Sequence, residues 1–251
     1  MLFQPPPITR YDLNFNIFGI PVRVHPLFWV LAVLLGSSSS DLSRILIWVL
    51  VVFVSILIHE LGHAFAMRRY GQPSHIVLHM TGGLTIPESI NFGYQSANIS
   101  FTPNQQILVS LAGPFAGFLF AAFATAGVAA LGGEVSVALL FGFIPIPSAF
   151  LTIAGQIPNL IIATLLWVNV FWGLMNLLPI YPLDGGNVTR YLLLQADPLD
   201  GVRKSLWISV IVGVFVAIAG LLFLSSIYLA FLFGFLAFQS YQSLRGYANR
   251  Y

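Results

Sequence analysis

The chain has 251 residues, of which 58% are hydrophobic and 7% charged, with a formal net charge of +2 and no cysteine. Soluble domains carry about 25% charged residues. A soluble globular protein is therefore excluded, and an all-α polytopic membrane protein, 1–251 as one membrane-embedded domain, is expected instead. The sparse, dispersed charge excludes nucleic acid as a partner, and the lack of cysteine excludes disulfides and thiolate metal sites.

Met1 to His25 has polar residues and prolines where a signal peptide needs a basic start and a short apolar core. Asn14 to Val24 alternates polar and apolar residues around Gly19, which predicts a short hairpin at the membrane surface. His25 is read as a capped or hydrogen-bonded interfacial histidine. Pro26 to Gly36 begins a short first span that continues into Ser37–Ser40, and Ser40 or Asp41 caps the next helix.

The second span, Ile45 to Met67, ends at Arg68-Arg69 and carries His59-Glu60-Leu61-Gly62-His63. On a helix His59 and His63 are one turn apart on one face. Two such imidazoles can bind Zn²⁺, and Glu60 can serve as base for a metal-bound water. Ionisable residues inside a membrane helix cost roughly 2.5–3.5 kcal/mol per centred charge, so a functional site is the default reading. At 1.5 Å per residue His59 lies about 14 Å inside the Arg68 edge.

Tyr70 to Ser100 is not a span. Ile76–Met80 reads as a strand, Gly82-Gly83 breaks it, and Leu84–Ile86 with Ile99–Phe101 could pair beyond, giving a small membrane-associated sheet or re-entrant hairpin. His75 and His79 lie too far apart on a strand for an easy chelate and are read as a solvated face. Thr102-Pro103 starts the third span, Ile107 to about Leu131. Its Gly113-Pro114-Phe115-Ala116-Gly117 is read as a site of close helix contact. Gly132 to Gln156, with Pro145 and Pro147, reads as an interfacial or partly inserted loop.

The fourth span starts at Asn159 and runs into Asn176-Leu177-Leu178-Pro179-Ile180-Tyr181-Pro182-Leu183-Asp184-Gly185-Gly186. Two prolines and a glycine pair there predict an unwound segment. Asp184 at that broken end is the candidate third ligand, since two histidines and a carboxylate leave one zinc position open for water. A short surface helix, a fifth span (Ser205–Leu224), a Ser225-Ser226 turn and a sixth span (Ile227–Leu244) follow. With six spans, nine of the ten Lys and Arg residues fall on one side and Arg44 alone on the other. The positive-inside rule then puts both termini in the cytoplasm.

His-Glu-Leu-Gly-His on one membrane helix, followed by Asn-Leu-Leu-Pro-Ile-Tyr-Pro-Leu-Asp-Gly-Gly on another, resembles the site-2 protease family of intramembrane zinc metalloproteases. The resemblance covers a catalytic core of about Ile45 to Gly186. It implies one Zn²⁺ held by His59, His63 and Asp184, Glu60 as the catalytic base, and Asn176 on substrate or the developing oxyanion. It also places Gly82 and Gly83 in an edge strand or loop that receives substrate, and makes single-span membrane proteins in the bilayer the expected partners. Gly117 stands where many relatives carry an asparagine, and neither a PDZ-like nor a CBS-like domain is expected. The rival readings are a membrane metal-ion transporter, which would spread ionisable groups along a path, and an inactive protease-like scaffold. The clustering of the polar groups at one depth disfavours the first, and the presence of all four core residues the second.

Overall fold

The computed structural model describes residues 5–36, 41–88, 90–92, 95–97, 100–140 and 144–248. It divides into two compact units, Met1–Ile99 with Ala112–Gly173, and Ser100–Leu111 with Leu174–Tyr251.

The first unit is built on a four-stranded sheet of order β1-β2-β3-β4: β1 (Leu13–Ile17), β2 (Ile20–Val24), β3 (Ser74–His79) and β4 (Gly82–Pro87). β1 and β2 form the expected hairpin, closed by Phe18 and Gly19, both at positive φ (51° and 77°). Such two-residue turns match the twist of the strands they join. Ile20, Val22 and Val24 alternate into the core while Pro21 and Arg23 face outwards. β2 and β3 are parallel, so the chain must cross over between them, and it does so through α1 (Pro26–Gly36) and α2 (Leu42–Arg69). β3 is central and buried at Ile76, Val77 and Leu78. The unit's core joins these strands to Phe28 of α1 and to Val51, Val52, Leu57, Leu61 and Ala64 of α2.

β4 pairs antiparallel with β3, from Ser74↔Pro87 to His79↔Gly82. The expected pairing of Leu84–Ile86 with Ile99–Phe101 is thus replaced by pairing with β3. Gly82, at φ 124°, completes a tight return that brings the two strands together; Ser100 and Phe101 are not in a strand, and Ile99 is outside the described residues. A separate hairpin, β5 (Ile90–Phe92) with β6 (Gln95–Ala97), follows. The Gly132–Gln156 segment, expected as a loop, forms the hairpin β7 (Glu134–Leu140) with β8 (Ile144–Phe150) and a 3₁₀ turn at Thr152–Ala154. Its prolines lie opposite Leu139 and Val137 in a two-stranded ribbon. Every strand of such a ribbon has an outer edge that needs no N–H, so proline is tolerated.

Five described helices are long and apolar enough to cross a membrane: α2, α3 (Pro103–Ala130), Gln156–Asn176, α7 (Gly201–Leu224) and α8 (Ile227–Ala248). α1 has 11 residues, about 16 Å at 1.5 Å per residue, against roughly 30 Å of hydrocarbon; its expected continuation through Ser37–Ser40 lies outside the described residues. The Gln156–Asn176 helix consists of α4 (Gln156–Trp167), a π-helical turn (Val168–Trp172) and α5 (Gly173–Asn176). π turns inside α-helices commonly mark functional sites. Asn169 in this turn donates to Ser55 of α2 at 2.8 Å and to the Leu165 carbonyl at 2.9 Å.

In the second unit α7 and α8 form a helical hairpin turning at Ser225, which sits in the left-handed region at φ 48°. Gly213 faces Ala237 and Gly220 faces Leu229 closely enough that an added Cβ would lie 3.0–3.1 Å from theirs. The outward residues Phe215 and Phe231 are large and exposed, as lipid contact requires.

Candidate metal centre

His59, Glu60 and His63 lie in the C-terminal half of α2. The run from Ile45 to Ile58 is apolar apart from Ser55, and no proline interrupts it, so helical spacing is kept to Arg69. The Nε2 atoms of His59 and His63 stand 3.2 Å apart, with ring centroids 4.8 Å apart. Two ligands at about 2.0–2.1 Å on a tetrahedral ion are about 3.3 Å from one another. The ligand atoms of His59, Glu60 and His63 all lie within 4.8 Å of one another. Glu60 and His63 are buried and His59 is half-buried.

Glycines clear the space around this group. A Cβ on Gly113 of α3 would stand 2.8 Å from Nε2 of His59 and closer still to the His63 ring. A Cβ on Gly62 would meet Ala116 at 2.8 Å and the Ala112 carbonyl. A Cβ on Gly83 would lie 2.6 Å from the carboxyl carbon of Glu60. Two residues along β4, on the same face, Thr85 donates from Oγ1 to Oε2 of Glu60 at 2.7 Å, with the Glu60 backbone carbonyl at 3.0 Å. The imidazole spacing and the clearing opposite Gly113 fit a zinc ion.

Other histidines take structural roles. His25 caps α1, its ring Nδ1 accepting from the Leu27 N–H at 3.2 Å, while its backbone N–H donates to the Leu78 carbonyl. His75 stands 3.3 Å from Glu88, and His79 is within 3.3 Å of the Thr81 hydroxyl. Burial, and then the charges of His25 and Arg23, push the His79 pKa down. Neither His75 nor His79 belongs to the group that could hold a metal ion among the described residues.

In the second unit Asn176 ends α5, and Asp184 is the first residue of α6 (Asp184–Ala196). The expected unwound segment is the loop between them. Gly185 and Gly186 let it fold tightly onto α6: a Cβ on Gly185 would meet the carbonyls of Leu177 and Leu178, and one on Gly186 the backbone of Ile180 and Tyr181. Two fully buried serines hold the loop from outside. Ser209 of α7 accepts from the Tyr181 N–H at 3.0 Å, and Ser240 of α8 donates to the Tyr181 carbonyl at 3.2 Å.

Sequence reasoning did not single out Thr85, Ser209, Ser240 or the Ser55–Asn169 pair, and read Gly113 as a helix contact. Ser55 offered a signal, since it lies one turn before His59 in an otherwise apolar run. Thr85 offered another, through its period-two relation to Gly83.

The fold has helices long and apolar enough to cross a membrane, one of which carries a group that could hold a metal ion, and the chain matches peptidase family M50 over residues 47–220. It belongs to that family, the site-2 proteases. Among its relatives is a zinc metalloprotease of Methanocaldococcus jannaschii, 29% identical over 216 residues, covering 83% of this chain and 52% of the relative. The protein sll0528 of Synechocystis, provisionally named a zinc metalloprotease, is 32% identical over 200 residues, covering 72% of this chain and 43% of that protein. The chain thus spans about half the length, or less, of the curated relatives it matches. The solved site-2 protease from Methanocaldococcus jannaschii shares the fold, with a TM-score of 0.55 at 24% identity, over 93% of this chain and 95% of that one.

Proposed function

We propose that this protein is a zinc-dependent intramembrane endopeptidase that cuts transmembrane segments of membrane-anchored substrates. The observation that carries this reading is the pair of imidazole nitrogens 3.2 Å apart beside a buried glutamate, on a helix long and apolar enough to cross the bilayer.

His59, His63 and Asp184 would hold one zinc ion. When bound, zinc supplies a Lewis acid that polarises a peptide carbonyl and acidifies a water. Glu60 takes the proton of the attacking water and delivers it to the leaving amide nitrogen, the work of a general base and then a general acid. Asn176 would steady the substrate or the oxyanion, consistent with its place beside the loop that leads to Asp184. A helical substrate hides its carbonyls in its own hydrogen bonds, so it must be extended before attack. Among the described residues β4 is an edge strand of its sheet, and pairing along Gly82-Gly83 would hold the substrate open. Single-span proteins with helix-weakening residues are the expected substrates. The whole chain acts as one protease domain, with six spans and both termini on the cytoplasmic side.

The test is cleavage of a model transmembrane segment by purified protein in liposomes. Glu60→Gln should lower the rate by about 10²–10⁴ while zinc stays bound, and a chelator should abolish cleavage until zinc is returned. Equal rates for wild type and Glu60→Gln would sink the proposal.

A further inference from the structure

We propose that Thr85 is a positioning residue that fixes the Glu60 carboxyl and ties it to the substrate-receiving strand; its kinetic consequence rests on Glu60 being the catalytic base. A glutamate side chain has three rotatable bonds, and a general base must be held in hydrogen-bond reach of its proton. Among the described residues the Thr85 hydroxyl is the one side-chain group bonded to this carboxyl, at 2.7 Å to Oε2. Its single proton has two acceptors in range, Oε2 and the Glu60 carbonyl at 3.0 Å, and the shorter, carboxylate bond is the stronger. Oε1 lies on the Gly83 side, where the missing side chain leaves bare backbone. Thr85 therefore engages one carboxyl oxygen and leaves the other to take a proton.

Thr85 is itself rigidly placed. Its side chain is β-branched and stiff at χ1, and its backbone is in register with fully buried Ile76 of β3. Because β4 is an edge strand, a peptide paired on its outer rim stands one side chain away from the base. Docking on the strand and orientation of Glu60 are then mechanically linked, and displacement by about 1 Å can cost about a hundredfold in rate.

The test compares Thr85→Val, which keeps the shape and removes the hydroxyl, with Thr85→Ser, which keeps the hydroxyl. The first arm needs no activity. The chain has three glutamates, Glu60, Glu88 and Glu134. With ¹³C-labelled glutamate, subtracting the infrared spectrum of Glu60→Gln isolates the Glu60 carboxyl band. That band should shift in Thr85→Val and stay in place in Thr85→Ser; an unmoved band in Thr85→Val overturns the proposal. In the second arm Thr85→Val should lower kcat by about tenfold to a hundredfold with KM within about twofold, and Thr85→Ser should stay within about threefold of wild type. Zinc content and thermal midpoint should match wild type in both variants. A change in KM alone, wild-type kcat in Thr85→Val, or equal losses in both variants each overturns it. Should Glu60→Gln cleave as fast as wild type, the protease mechanism falls, and the infrared band still decides whether Thr85 holds the carboxyl.

Discussion

At the scale of single residues, the site depends as much on missing side chains as on present ones. Gly113 clears the space at the two imidazoles, and a methyl group there would push into both rings. Gly113→Ala should therefore weaken zinc binding by about tenfold or more, a loss typical of disturbing the groups that orient metal ligands. Gly127→Ala on the same helix is the control, because an added Cβ there meets nothing within 4 Å. Competition with a zinc indicator measures both, and equal affinities would show that the rings can move aside at no cost. The histidine pair and Glu60 were legible in the sequence because helical spacing converts directly into a shared face. Gly113 was legible as a position of close approach, but not as an approach to imidazoles. That distinction depends on which neighbour the helix meets, and spacing within one helix does not carry it.

Among elements, the N-terminal hairpin carries a charge pair that makes its stability depend on pH. Asp12 accepts from Thr9 and from Arg23, whose Nη1 lies 2.9 Å from Oδ2. Burial alone would raise the Asp12 carboxyl. The hydrogen bonds of Thr9 and Arg23, with the charge of Arg23, outweigh it and bring the pKa down from the ordinary 3.8 to about 2. A depressed carboxyl stabilises the fold above its unfolded pKa and loses that effect as pH falls through the folded one. Amide protection in β1 and β2 should therefore drop between about pH 4 and pH 2. In Asp12→Asn that step should be absent; hydrogen exchange reads both. The hairpin itself was legible from alternation around Gly19. The β3–β4 register was not, since it depends on a return at Met80-Thr81, ahead of Gly82, that could as well have ended the sheet. The β7–β8 hairpin was hidden for another reason: its prolines argue against a strand unless the ribbon has only two strands and therefore open edges. The break between Asn176 and Asp184 was legible because proline and glycine act on the backbone locally. The serines that hold that break come from helices some 30 to 60 positions further along, beyond any local pattern.

For the whole molecule, the distribution of Lys and Arg makes the topology testable. The chain has no cysteine, so a single introduced cysteine reports one position without background. Cysteines placed at Arg10 and at Arg245 should react with a membrane-impermeant maleimide in inside-out vesicles and stay unlabelled in right-side-out ones. A cysteine at Arg44 should show the reverse. The five long apolar helices and the family agree with a multi-pass protein, and this experiment fixes its direction. One further consequence comes from the rim of β4 that pairs with no strand among the described residues. A strand docked there repeats every second residue, and sliding it by one position turns its side chains to the opposite face. If β4 receives the substrate, slippage is permitted only in steps of two. Mass spectrometry of the fragments should then show minor termini offset by even numbers of residues from the main one. Odd offsets, with three prominent among them, would mean that the scissile segment meets the glutamate while still coiled.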